Sequence, residues 1–110
     1  MRLRLPSRKV CERFRLIYEL HGAQKGANVL TEYYGVRRLK VVVDGRRVYK
    51  AYSAIYLKNR AYFKRRFVSK RIVLHELYHH IVEAKRITMP LREEERRAEE
   101  FAREVMKKSP

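Results

Sequence analysis

The pentapeptide His75-Glu76-Leu77-Tyr78-His79 constrains the fold of this chain more than any other feature of the sequence. Two histidines four residues apart lie on one face of an α-helix, where both imidazoles can reach a single metal ion. The adjacent Glu76 is then placed to accept a proton from a water molecule that the metal activates. An ordinary amphipathic helix can also carry such histidines on its surface or in its core. The box therefore predicts a helix in the floor of a cleft with Zn²⁺ as its metal, provided that a third ligand is found.

The length of 110 residues is sufficient for one domain with one hydrophobic core. No apolar run approaches the roughly 20 residues of a membrane span, and the basic N-terminus lacks the apolar stretch of a signal peptide. We therefore expect a single domain over residues 1–110, cytoplasmic and without a membrane span. Cys11 is the only cysteine, which excludes an intrachain disulfide, and its apolar neighbours predict a buried, inert thiol.

The net charge of +16 is distributed unevenly along the chain. Residues 1–70 contain 19 lysines and arginines against four acids, whereas residues 71–110 contain nine against eight. Such asymmetry is typical of proteins that bind a polyanion, that act on an acidic substrate, or that need many charges to stay soluble at high temperature. The excess of arginine over lysine and the small number of amides favour a thermophilic source.

Capping residues and apolar periodicity predict three helices. The first covers residues 8–21, with Ser7 as N-cap and Gly22 as the stop, and a loop is expected over residues 22–28. The second begins after Ser69 and continues to about Ala84. Its inward stripe consists of Leu74, Leu77 and Ile81. The third runs from about Leu91 to Lys107.

The region between the first two helices is rich in strand signals. Four strands are expected, over residues 36–43, 46–50, 54–57 and 61–63. Asp44-Gly45 predicts a hairpin turn between the first two, and residues 58–60 predict another between the last two. The alternation of Ile55 and Leu57 with Tyr56 and Lys58 indicates one buried face and one wetter face. The element order predicts an α+β domain with an N-terminal helix, a small sheet of three to four strands, the box helix and a C-terminal helix.

The third metal ligand has to come from outside the box. His80 points about 100° away around the helix, His21 lies in another helix, and no histidine follows the box. The last helix supplies six glutamates: Glu93, Glu94, Glu95, Glu99, Glu100 and Glu104.

The apolar face of the last helix narrows this choice. Its inward arc is defined by Leu91, Ala98, Phe101, Ala102 and Val105. Glu94 and Glu95 lie within or beside the arc, and Glu99 lies at its edge. A carboxylate there needs a partner, which is either a metal ion or an arginine such as Arg96 or Arg97. Periodicity does not separate Glu94 from Glu95.

A family resemblance rests on two motifs, HELYHH and the segment from Glu95 to Ala102, ERRAEEFA. They resemble the HExxH and ExxAxxFA motifs of gluzincin metallopeptidases. Related arrangements occur in the catalytic cores of CAAX prenyl proteases, HtpX-type proteases and ImmA/IrrE-type proteins. A chain this short is most similar to the archaeal minigluzincins. The resemblance covers about residues 53–106.

The resemblance implies a minimal zincin-like fold and a zinc-dependent hydrolase that cleaves peptide or protein substrates. It implies that His75, His79 and Glu95 bind Zn²⁺, that Glu76 is the catalytic base and that a strand before the box binds substrate. Glu99 stands where the family often has Asp or Asn beside a zinc-binding histidine, and it would take that role with a longer side chain. Tyr78 replaces a frequent glycine, so helix packing differs there. The family also implies latency imposed by the C-terminal segment, here residues 106–110.

The alternative is a basic nucleic-acid-binding module with a structural or vestigial zinc site. Aromatic and cationic residues interleave as they do in a stacking platform. These residues are Tyr33, Tyr34, Arg37, Arg38, Arg46, Arg47, Tyr49, Tyr52 and Tyr56.

Overall fold

The structure is a computed structural model that describes residues 3–44, 46, 48, 52–65 and 68–109. Within these residues, four helices and three strands give the α+β class that the sequence predicts. They follow in the order α1 (Arg8–His21), α2 (Ala23–Tyr34), β1 (Lys40–Val43), β2 (Ala54–Leu57), β3 (Arg60–Phe63), α3 (Lys70–Ala84) and α4 (Leu91–Lys108). None of the described helices is long and apolar enough to cross a membrane.

Helix α1 begins and ends at the predicted residues. The Ser7 side chain accepts a hydrogen bond from the Val10 N–H at 3.3 Å. At the other end Gly22, with a φ of 94°, donates its N–H to the Tyr18 carbonyl. A positive φ favours glycine, so this residue stops the helix as expected. Cys11 is fully buried, as predicted.

The predicted loop over residues 22–28 is wrong, because residues 23–34 form α2. Glycine in this segment suggests a loop locally, but Gly26 lies where α2 crosses α1 closely. A Cβ at this position would be 3.0 Å from the Cβ of Tyr18. The close approach buries Ala27 and Leu30 completely, and this burial of apolar surface outweighs the low helix propensity of glycine.

The three strands form one sheet in the order β1-β3-β2. β1 is parallel to β3, and β2 is antiparallel to β3. The predicted turn between β2 and β3 is confirmed, with φ values of 37° at Lys58 and 65° at Asn59, and Arg60 already belongs to β3. The predicted Asp44-Gly45 hairpin to residues 46–50 lies largely outside the described residues.

The first strand is shorter than the predicted range of residues 36–43, because β1 begins at Lys40. The Gln24 side chain binds its outer edge at two points. Its Nε2 donates to the Leu39 carbonyl at 2.8 Å, and its Oε1 accepts from the Val41 N–H at 2.8 Å. A side chain from α2 therefore satisfies backbone groups that a further strand would otherwise pair.

The predicted buried face of β2 is wrong in part. Leu57 is 53% exposed, whereas Tyr56 packs against the core and directs its hydroxyl towards α3. The hydroxyl finds polar partners there, so a tyrosine that the alternation assigned to the wetter face is turned inward.

Helix α3 is the centre of the molecule and packs against α2, α4 and β2. Leu74, Leu77 and Ile81 are fully buried, as the periodicity predicts. The inward arc of α4 is confirmed at Ala98, Phe101, Ala102 and Val105. It is wrong at Leu91, which is 73% exposed because the first turn of α4 borders an open cleft.

Candidate metal centre

The box histidines and Glu95 come together where α3 and α4 face each other. The Nε2 atoms of His75 and His79 are 3.3 Å apart. The Glu95 carboxylate has one oxygen 3.0 Å from the His75 Nε2 and the other 3.1 Å from the His79 Nε2. Within the described residues, these three side chains form a group that could bind a metal ion. The two motifs that lie far apart in the sequence therefore meet at one point.

The spacing of these atoms fits a small tetrahedral cation. Zinc–nitrogen and zinc–oxygen bonds of about 2.0–2.1 Å place neighbouring ligand atoms about 3.3 Å apart in a tetrahedron. The two imidazole nitrogens are 3.3 Å apart, which equals that edge, and each Glu95 oxygen lies 3.0–3.1 Å from one of them. His79 is buried, whereas the Glu95 side chain is 52% exposed. The group is therefore exposed to solvent on the Glu95 side.

Each histidine also contacts a second carboxylate through its other ring nitrogen. Glu99 Oε1 lies 2.7 Å from the His75 Nδ1, at the position that the resemblance implies. Glu94 Oε2 lies 2.5 Å from the His79 Nδ1. A carboxylate at Nδ1 fixes the ring orientation and leaves Nε2 free to bind a metal. The sequence singles out Glu94 only as a rival ligand and misses this role, which follows from the antiparallel approach of α4 to α3.

Glu99 is held by a cation as well as by its histidine. Arg71 donates to Glu99 Oε2 at 2.9 Å. This bond, together with the contact to His75, lowers the pKa of the Glu99 carboxyl below its ordinary value. Glu99 therefore stays ionised and can accept a hydrogen bond from the His75 Nδ1–H.

Glu76 lies on the inner side of the same helix face. It is 7% exposed, and one carboxylate oxygen is 4.0 Å from the His75 Nε2. Burial raises the pKa of this carboxyl to about 7, and the nearby Glu95 contributes in the same direction, while His75 opposes it. A carboxylate with a pKa near neutrality is suited to take up a proton and release it again.

His80 does not join the metal group, as the helix geometry predicts. Its Nε2 lies 2.7 Å from the Arg37 carbonyl, which can only accept, so Nε2 carries the proton. Burial lowers the pKa of His80, which leaves Nδ1 as an acceptor 3.1 Å from the Tyr56 hydroxyl. Glu83 lies 2.9 Å from the same hydroxyl. This network ties β2 and the segment before β1 to α3.

An open cleft of about 960 Å³ runs beside the metal group. One wall is β2 with the preceding residues Tyr52 and Ser53, and the other is formed by α3 and the start of α4. Among the described strands, β2 is at an edge of the sheet, so its outer backbone groups face this space. The lining contains five glutamates and one arginine, which makes the cleft acidic within a chain of net charge +16.

Among the described residues, the members of the predicted stacking platform have different surroundings. Tyr34 donates its hydroxyl to the Arg4 carbonyl at 2.6 Å, and Tyr56 is bonded towards α3. Tyr33 is 42% exposed, and Tyr52 borders the cleft. Arg46 forms an ion pair with Asp44. The predicted platform residues Arg47 and Tyr49 lie outside the described residues.

The end of α4 lies against α1. The Lys108 ammonium donates to the Pro6 carbonyl at 3.0 Å, and Met106 and Ser109 line a small cavity with Phe14. None of residues 106–109 lines the cleft beside His75. These contacts give no support to the latency that the family resemblance implies, and deletion of the C-terminal residues tests it.

Comparisons of the chain with models of known protein families, with curated proteins and with solved structures found no match. The case for a function therefore depends on the geometry and chemistry of the residues themselves.

Proposed function

We propose that this chain is a zinc-dependent peptidase of the gluzincin type. The observation that carries the proposal is the meeting of two imidazole nitrogens and a carboxylate at 3.0–3.3 Å in the wall of an open cleft. His75, His79 and Glu95 would hold the ion. Two imidazoles and one carboxylate are a ligand set that Zn²⁺ favours in catalytic sites.

Bound zinc would supply Lewis acidity, which polarises a substrate carbonyl and makes water a stronger acid. The chain supplies the proton transfers. Glu76 takes a proton from the attacking water as the new C–O bond forms. It then delivers that proton to the amine nitrogen as the C–N bond breaks, so that it ends unprotonated. Glu94 and Glu99 keep the two imidazoles in the orientation that leaves Nε2 available.

A peptide is the substrate class that suits this cleft. An extended peptide can add to a free sheet edge through its own backbone hydrogen bonds, and β2 is such an edge among the described strands. A peptide bound along β2 would lie in the same cleft as the metal group, since residues 54–56 and His75 both line it.

The test combines metal analysis with cleavage of a peptide library. Protein reconstituted with Zn²⁺ should bind one zinc and cleave peptides, and Glu76→Gln should bind one zinc without cleaving. The variant, purified in parallel, is also the control for a contaminating protease. Wild-type protein that holds one zinc and cleaves no peptide would overturn the proposal, and so would turnover by Glu76→Gln at the wild-type rate.

A further inference from the structure

Five exposed cations lie together at one end of the sheet, and we call them the basic patch. β1 and β3 are parallel, so both begin at this end, and β2 ends there. The patch consists of Arg37, Arg38, Lys40, Lys58 and Arg60. Lys40 and Arg60 are direct neighbours in the β1–β3 register, so their side chains start from adjacent strands.

The backbone beneath the patch is held by contacts from several elements. The Lys40 N–H donates to the Asn59 carbonyl at 2.8 Å, and the Arg37 carbonyl accepts from the His80 ring. The Leu39 carbonyl accepts from Gln24. The cations therefore project from a fixed framework, and a ligand does not have to order the chain in order to meet them.

The patch differs from the other charged surfaces because no acid interrupts it. Residues 36–43 and 52–65 contain no aspartate or glutamate. Within the described chain, no patch residue forms an ion pair, and the nearby Glu83 bonds to Tyr56 instead. On α1 and α4, by contrast, cations alternate with glutamates and pair with them, as Arg96 does with Glu100. Like charges held close together repel one another, and a polyanion would relieve that repulsion.

We propose that the basic patch binds the phosphate backbone of nucleic acid without reading its sequence. Arginine and lysine contacts to phosphate position a protein on nucleic acid but carry no sequence information. The rings of Tyr34 and Tyr56 pack against the hydrophobic core, so these two tyrosines do not present their faces to bases. A membrane surface suits the patch less well, because Leu57 is its one large exposed apolar neighbour on β2.

The experiment measures binding of a fluorescent 20-nucleotide single-stranded RNA of mixed sequence by anisotropy. Five phosphate contacts at a slope of about −0.7 each predict that wild-type affinity falls about 100-fold between 50 and 200 mM salt. The patch variant carries glutamine at all five patch positions. The control variant carries glutamine at five exposed cations elsewhere and so has the same net charge: Arg8, Lys9, Arg13, Lys25 and Arg103.

The patch variant should bind at least tenfold more weakly than wild type and lose most of the salt dependence, whereas the control variant should lose less than threefold. An equal loss in both variants would overturn the proposal, because net charge alone would then explain binding. No binding at 50 mM salt would overturn it too. So would tighter binding to polyglutamate or to vesicles of phosphatidylserine and phosphatidylcholine, since these are other polyanions.

A second measurement uses wild-type protein alone and does not depend on the variants folding. RNA should protect Lys40 and Lys58 from acetylation and leave Lys9 and Lys25 reactive, as read by mass spectrometry. Uniform protection of all four lysines would contradict a localised site. Both measurements work without zinc, so their outcome is independent of the proposed peptidase activity.

Discussion

Replacing Glu95 with alanine should weaken zinc binding about a thousandfold. Glu95 is the residue whose carboxylate lies within 3.0–3.1 Å of both Nε2 atoms. The binding free energy of Zn²⁺ at sites with four protein ligands is about 10–16 kcal/mol. One ligand therefore contributes roughly a quarter to a third of it, or about 4 kcal/mol. At 1.4 kcal/mol for each factor of ten, the dissociation constant rises about 10³-fold.

Glu94→Ala and Glu99→Ala should weaken binding less, because these side chains hold the histidines and not the ion. Loss of such a supporting carboxylate typically costs about 10–100-fold in affinity. Glu93 is the matched control, since it lies on the same helix but bonds to Arg97 at 3.0 Å. Glu93→Ala should change zinc affinity less than twofold.

The assay is competition for Zn²⁺ between each metal-free variant and a chromophoric chelator at a fixed pH. The expected order of affinity is wild type and Glu93→Ala, then Glu94→Ala and Glu99→Ala, then Glu95→Ala. An affinity of Glu95→Ala within tenfold of wild type would refute the assignment of the third ligand. A loss in Glu94→Ala as large as that in Glu95→Ala would show that the two neighbouring glutamates had been confused.

Three further predictions concern the rest of the fold. Gly26→Ala should lower the free energy of unfolding by about 1 kcal/mol, since the clash with Tyr18 exceeds the gain in helix propensity. Urea unfolding measures this change. The control is Lys25→Ala at an exposed position, which should leave the free energy of unfolding nearly unchanged. Cys11 should resist iodoacetamide in the native protein and react in urea, because burial both covers the thiol and raises its pKa. Deleting residues 106–110 should lower Tm and leave cleavage per zinc-loaded molecule unchanged.

Each of these three has a clear contrary result. Equal stability of the alanine variant and wild type would show that α1 and α2 can separate slightly without cost. Native alkylation of Cys11 at the rate seen in urea would mean that the first helix opens readily. A rise in cleavage after the C-terminal deletion would establish the latency that the family resemblance implies.

The parts of this fold that the sequence predicts are those with local causes. Ser7 and Ser69 cap their helices through their own side chains, and the stripe of α3 follows directly from its apolar spacing. The helix from Ala23 to Tyr34 is not predictable from local propensity. It depends on the close packing of Gly26 against Tyr18, which is a contact between two helices. The parallel pairing of β1 with β3 joins residues about 20 apart in sequence, beyond what a hairpin signal can show.

The candidate metal centre likewise has parts that follow from local sequence and parts that depend on packing between helices. The two histidines and Glu76 follow from spacing within one helix, and Glu95 follows from the resemblance. The contact between Glu94 and His79 depends on how deeply the first turn of α4 crosses over α3. The position of α4 over α3 is set by packing along the whole interface between the two helices. Periodicity within α4 therefore cannot tell which of Glu94 and Glu95 reaches the metal group.

The adjacency of His79 and His80 connects α3 to two different surfaces of the molecule. One ring faces the metal group and the next holds the Arg37 carbonyl at the base of the basic patch. Any rotation of the helix that adjusts one ring must move the other, because consecutive residues share the same backbone. Thermodynamic reciprocity then requires that if a metal ion steadies the patch, a ligand on the patch tightens the metal by the same factor. The candidate metal group and the basic patch are thus anchored on consecutive residues of one helix.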